Sequence, residues 1–266
     1  MQRLILFTSL VLLPLLIQAQ EFAVKPANLQ FPLEPLQSGY RTLTLTNLSD
    51  ETKTYQLSVG DFEMDTLGNF VRMDPGASKY SCAKWITFEP ATFELAPNES
   101  RQIRVTISVP ANENGTRWAE LYFQAQEELA DLPALADRAM QSQLKAQSRI
   151  AVPVLQSPPS NTNYDAEVAN LRLAERNDTT AVFHADLINK GEKLVTGRIM
   201  RSATNLDTGA SFKLPPVDVA ILPGVRRILD FRFDEVLPKG NYLLTAVWQV
   251  DYQKSPKGSR LQIQLN

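Results

Sequence analysis

Apolar and polar residues alternate along most of this chain. In residues 41–47, RTLTLTN, Leu43 and Leu45 share one side while Thr42, Thr44 and Thr46 share the other. That period of two predicts a strand with one buried face. Residues 54–59, TYQLSV, repeat it with Tyr55, Leu57 and Val59 inward, and residues 101–109, RQIRVTISV, repeat it with Ile103, Val105, Ile107 and Val109. Residues 85–107, WITFEPATFELAPNESRQIRVTI, alternate, break at Pro90 and Pro97, and alternate again. The joints NLSDE, DTLGN and APNE are turn chemistry. Short alternating strands between such turns predict an antiparallel β-sandwich of the immunoglobulin-like type.

One stretch departs from this pattern. In residues 127–147, EELADLPALADRAMQSQLKAQ, the residues Leu132, Leu135, Ala136, Ala139, Met140 and Leu144 recur at helical spacing. They predict a helix or irregular excursion before the last strand of the first domain, packed on its own sheet or, alternatively, serving as a partner-binding loop. The strand RIAVPVL follows, with Ile150, Val152 and Val154 on one face. Pro153 has no N–H to give a ladder, which predicts an edge strand or a proline whose missing donor points outward. Residues 157–163, SPPSNTN, form a stiff polar connection and the expected domain boundary.

The alternation then resumes. AEVANLRLAE, TAVFHADLIN, KLVTGRIMRSA, RRILDFRFDEV, NYLLTAVWQVDY and GSRLQIQL read as strands, joined by turns such as INKGEK, NLDTGA, LPGV and LPKGN. The expected organisation is all-β: two immunoglobulin-like antiparallel sandwiches in tandem, over residues 20–156 and 164–266. Residues 1–19 read as a signal peptide, with Arg3 preceding an apolar run from Leu4 to Ile17. The run is shorter than the ~20 apolar residues of a membrane span, so the mature chain is expected to be exported without membrane insertion.

Composition adds exclusions. Without Arg3 the basic residues fall from 27 to 26 against 29 acidic ones. That balance disfavours nucleic acid as a partner. Cys82 is the only cysteine, so no disulfide closes within the chain and stability rests on burial, for which a hydrophobic fraction of 44% suffices. It reads as a half-buried thiol acting as a small apolar residue.

Candidate chemistry is sparse. His184 is the only histidine. The apolar side of AVFHADLI holds Phe183, Ala185 and Leu187, which puts His184 with Val182 and Asp186 on a face read as solvated. No His or Cys pair has metal-ligand spacing, and no glycine-rich loop precedes a helix. Carboxylates alone can serve a glycosidase, but none stands out here. Asn47, Asn98, Asn114 and Asn177 open N-x-[ST] triplets and read first as turn residues. The expectation is a protein without catalytic residues, metal or cofactor, binding through exposed strand edges.

Residues 85–105, WITFEPATFELAPNESRQIRV, resemble the periplasmic pilus and fimbrial assembly chaperones, the PapD-like family, as a divergent member. LTLTNLSDETKTYQLSV is similar to that family's second and third strands, RWAELYFQAQE to its sixth and AQSRIAVPVL to its seventh. The resemblance covers about residues 21–156. It implies a two-domain periplasmic chaperone that lends a strand to an incomplete secreted or pilus-type subunit, works with an outer-membrane assembly channel, and holds the subunit's terminal carboxylate with two basic residues. The positions matching those basic residues carry Asn28 and Ala151; Lys25 and Arg149 are the neighbouring cations, in other registers. The donor positions fall near Ser142, Leu144 and Ala146. The expected partner-binding residues are therefore Ile150, Val152, Val154, Leu144, Arg149 and Lys25. Aspartate at Val152 is expected to weaken partner capture without unfolding the domain; the alternative is that Ile150, Val152 and Val154 simply fill the first domain's core. A static surface or adhesion scaffold is the alternative.

Overall fold

The computed structural model describes residues 21–126, 148–177, 180–233, 237–252 and 255–265. The expected signal peptide and the excursion at 127–147, with Leu144, lie outside the described residues.

The alternating segments form strands packed as sandwiches. The first contains β1 (Phe22–Lys25), β2 (Leu29–Phe31), β3 (Ser38–Asn47), β4 (Lys53–Met64), β5 (Phe70–Met73), β6 (Ile86–Glu89), β7 (Thr92–Leu95), β8 (Ser100–Ser108), β9 (Arg117–Gln126) and β10 (Arg149–Gln156). One sheet runs in the order β1-β3-β8-β6; the other runs β2-β10-β9-β4-β5, with β7 also on β4. Leu43, Leu45, Ile103, Val105 and Ile107 from the first sheet meet Leu57, Leu121, Phe123, Val152 and Val154 from the second in one buried cluster. Leu43, Leu45, Leu57, Ile103, Val105 and Ile107 are residues that the period of two assigns inward, because a strand that points one row at water must point the other at its neighbour.

The second sandwich uses β11 (Ala166–Arg176), β12 (Ala181–Asn189), β13 (Val195–Asn205), β14 (Ser211–Ile221), β15 (Arg226–Phe233), β16 (Gly240–Val250) and β17 (Lys257–Leu265). Its sheets are β11-β12-β15 and β14-β13-β16-β17. Phe183, Phe231, Tyr242 and Trp248 fill the space between them. Strand β14 has no counterpart in the sequence expectation, since Pro215 and Pro216 interrupt its pattern. Among the described residues it pairs on one side only, with β13, and the register shifts between Ile199 and Arg201 opposite the prolines. An edge with a bulge tolerates residues that lack a ladder donor.

Three details depart from the sequence reading. The pairing of β10 with β2 is parallel, not antiparallel. Cys82 is fully buried, at the start of a short 3-10 turn (Ala83–Trp85). Burial, then the nearby Asp61 carboxylate, pushes its thiol pKa up. Cys82 should therefore resist a thiol-reactive dye in the native protein and label fully in denaturant; rapid native labelling, followed by mass spectrometry, would contradict its placement.

The third concerns the face of β12 bearing His184. It is not a plain solvated face: Val182 and Asp186 are buried, and His184 Nε2 lies 3.1 Å from Asp230 Oδ1. Asp186 accepts hydrogen bonds from Asn170 Nδ2 at 2.7 Å and Arg172 Nη1 at 3.1 Å, and Arg226 Nε lies 3.4 Å away. Burial alone would raise its pKa, but Asn170, Arg172 and Arg226 outweigh that and hold it below the usual carboxylate range. A period of two separates the faces but does not say what long side chains from flanking strands lie across them.

The sandwiches touch through an apolar cluster. Phe62 and Trp118 pack with Leu222, flanked by Tyr80, Leu155, Leu194 and Val225. Trp118 Nε1 donates to the Phe62 carbonyl at 2.8 Å, and its ring stacks on Tyr80 with centroids 4.4 Å apart. Gly224 sits at φ +72° beside Tyr80 Oη, where a Cβ would collide with the hydroxyl. Around this cluster, Thr116 N–H donates to the Glu192 carbonyl at 3.1 Å and Ile228 N–H to the Thr66 carbonyl at 2.7 Å.

Candidate partner-binding cleft

Strand β10 is paired on both sides for only part of its length. It matches β9 from Arg149 to Gln156, whereas β2 meets it only at Val154, Leu155 and Gln156. Among the described residues, the outer edge from Arg149 to Pro153 has no strand partner. Pro153 fits there if its missing donor faces that open edge, since facing β9 it would break the ladder. By the two-residue period, the N–H groups of Arg149 and Ala151 then point the same way, toward the edge that has no strand partner among the described residues.

The side chains of β10 divide between two environments. Val152 and Val154 are fully buried in the core, with Ile150 packed against it. Arg149, Ala151, Pro153 and Leu155 occupy the other face, the one that carries Trp118, Glu120 and Tyr122 from β9. This explains why β9 reads as an almost unbroken buried run: its second face is covered as well.

Tyr122 is the centre of that face. It lies opposite Ser58 on β4 and Ala151 on β10. Its ring rests on Gly60, where a Cβ would come within 2.6 Å of Cε2; only glycine leaves room. The Arg149 guanidinium carbon sits 3.9 Å from the ring centroid and that of Arg72 sits 5.9 Å away. Arg72 Nε is also 3.9 Å from Glu120 Oε2. Glu120 is only 2% exposed. Burial, then the hydrogen bond of its hydroxyl with the Glu120 carboxylate and that carboxylate's charge, raises the Tyr122 pKa to about 12, so the phenol stays protonated at neutral pH. Tyr122 and the two arginines border a recess of about 380 Å³ lined also by Ser58, Gly60 and Asp74.

Of the residues expected at a binding site, Ile150, Val152 and Val154 are together, but as core. Arg149 is exposed in the recess. Lys25 is exposed at the end of β1, in the other sheet, and Asn28 is exposed between β1 and β2. Ala151 lies beside Tyr122. The sequence reading missed Arg72, Glu120 and Tyr122. Arg72 is on a short strand whose pairing with β4 cannot be anticipated locally, and Glu120 in an apolar run was the available signal.

The described chain is thus a tandem β-sandwich protein with an open strand edge beside an aromatic and arginine-lined recess. Residues 37–128 match the family model described as an Fn3-like domain. No curated protein matches in sequence. Among solved structures, the chain is similar to the class 5 fimbriae chaperone CfaA, at 13% identity over 92% of this chain and 100% of that one, with a TM-score of 0.46. It is similar also to the E. coli chaperone DraB, at 13% identity over 92% and 98% of the two chains, TM-score 0.42. A third is the CsuC–CsuE chaperone and tip adhesion subunit pre-assembly complex from the archaic chaperone-usher Csu pili of Acinetobacter baumannii, at 14% identity over 78% and 89%, TM-score 0.43.

Proposed function

We propose that this protein is an exported, periplasmic, chaperone-like assembly factor that captures an extended segment of a secreted or pilus-type subunit and works by reversible binding without catalysis. The observation that carries the reading is the open edge of β10 from Arg149 to Pro153, which can receive a strand. The recess beside it suits the end of that segment. Two exposed guanidinium groups, Arg72 and Arg149, crowd one ring, with the carboxylates of Asp74 and the buried Glu120 nearby. A terminal carboxylate can accept charge-assisted hydrogen bonds from these two arginines. Such a partner is handed on to an outer-membrane assembly channel, and the two-sandwich frame holds the edge in place.

Strand capture through the backbone has a direct test. Ala151→Pro removes one N–H from the open edge and leaves the β9 ladder intact, because residue 151 shares the orientation of Pro153. The variant should fold with an unchanged circular dichroism spectrum and recover at least tenfold less partner on gentle purification from the periplasm. Recovery equal to wild type would remove the edge as the capture site.

A further inference from the structure

The loop between β8 and β9 carries the one Asn-Gly pair of the sequence, Asn114 and Gly115. Other asparagine side chains are tied into the fold. Asn47 and Asn189 are fully buried and give their amide hydrogens to backbone carbonyls, and Asn205 Oδ1 accepts from the Asp207 and Thr208 N–H groups. Asn114 is exposed, and among the described residues neither its amide nor the Gly115 N–H makes a hydrogen bond. Gly115 has no Cβ to keep its nitrogen away from the preceding side chain. The Arg117 guanidinium lies beside it, since a Cβ built on Gly115 would come within 2.7 Å of Nη1. Both residues line a recess of about 580 Å³ at the junction of the sandwiches, with Lys79, Lys190 and Glu192. Arg117 also pairs with Glu113 at 2.8 Å.

We propose that Asn114 is a site of spontaneous deamidation at this junction. The Gly115 backbone nitrogen gives its proton to water and attacks Asn114 Cγ. The new C–N bond closes a succinimide ring, and the side-chain nitrogen leaves as ammonia. A second water opens the ring at either carbonyl and yields aspartate or isoaspartate, so water is the only co-reactant. The cations of the recess favour the negative charge that develops on the nitrogen and the carboxylate that results.

The two products have different consequences. Isoaspartate routes the main chain through the former side-chain carbon and lengthens it just ahead of Thr116. Thr116 stitches the junction: it is 1% exposed, its N–H donates to the Glu192 carbonyl at 3.1 Å, and its Oγ1 lies 2.9 Å from Ser157 Oγ. A longer chain shifts these bonds out of register, whereas aspartate leaves the backbone path as it was.

The test incubates the full-length mature protein for several weeks at neutral pH and physiological temperature. A tryptic digest then places Asn112 and Asn114 in one peptide, and mass spectrometry with electron-transfer fragmentation separates aspartate from isoaspartate. Asn114 should convert at least about tenfold faster than Asn112, and Gly115→Ala should slow it about tenfold. Alanine fits there, because the Gly115 backbone is not left-handed and only the mobile end of Arg117 has to move. By hydrogen exchange, the Thr116 amide should lose about tenfold in protection in the isoaspartate form, while Asn114→Asp keeps the protection of the starting protein.

No mass gain at residue 114, conversion of Asn112 as fast as that of Asn114, or an undiminished rate in Gly115→Ala overturns the proposal. Thr116 protection unchanged in the isoaspartate form, or lost equally in Asn114→Asp, overturns the argument from the backbone path.

Discussion

Val152→Asp should cost the first sandwich about 3–5 kcal/mol and lower its unfolding midpoint by on the order of 10 °C, or prevent folding. Val152 is 1% exposed and belongs to the same apolar cluster as Leu121 and Val154. An aspartate there loses the packing of a valine and brings a carboxylate into a space whose neighbours offer it no cation or donor. The alternation of β10 suggests that this row would face a partner and tolerate a charge. The tertiary structure favours the other alternative: this row faces the protein's own interior, and the backbone edge is what remains available. Differential scanning calorimetry of the variant decides between them. A wild-type midpoint with reduced partner recovery would favour an outward-facing row, and a collapsed transition favours the core.

Trp118→Ala should destabilise by a similar amount, about 3–5 kcal/mol, with a second consequence at the contact between the sandwiches. The indole is 1% exposed, stacks on Tyr80, donates to the Phe62 carbonyl, and reaches the cluster that holds Leu222. Alanine leaves a large cavity and an unpaired carbonyl at once. Beyond the lower midpoint, the two sandwiches should become separable. Limited proteolysis is expected to cut residues 157–163 at least several times faster in the variant than in wild type. Unchanged cleavage would mean that the remaining backbone bonds, such as Thr116 to Glu192, suffice to hold the contact.

Both predictions concern residues whose burial the local pattern judged unevenly. The inward rows of β3, β8 and the first half of β4 were legible because each has one solvated face there, so polar threonines and glutamines mark the outside. Strand β9 carries no such mark: RWAELYFQAQ is covered on both faces, and its second face holds the residues of the candidate site. Gly60 reads as an isolated glycine until Tyr122 is seen resting on it. Arg72 belongs to a four-residue strand that acquires meaning only through its place opposite Phe62. The prolines of β14 obscured a real strand because their tolerance depends on an edge, which is a property of the sheet and not of the segment.

The sequence by itself determined the class of this protein. A period of two, repeated between Gly, Asn and Pro turns, admits few solutions other than packed antiparallel sheets, since each half-apolar strand must bury one face. It also placed a proline in β10, and with it the hint of an open edge. The tertiary structure alone decided what stands beside that edge. Pairing between strands distant in sequence brings Arg72, Tyr122 and Arg149 to one recess, with Glu120 buried behind it. Local patterning cannot specify that meeting, because it records which side of a strand is dry and not which strand lies next to it.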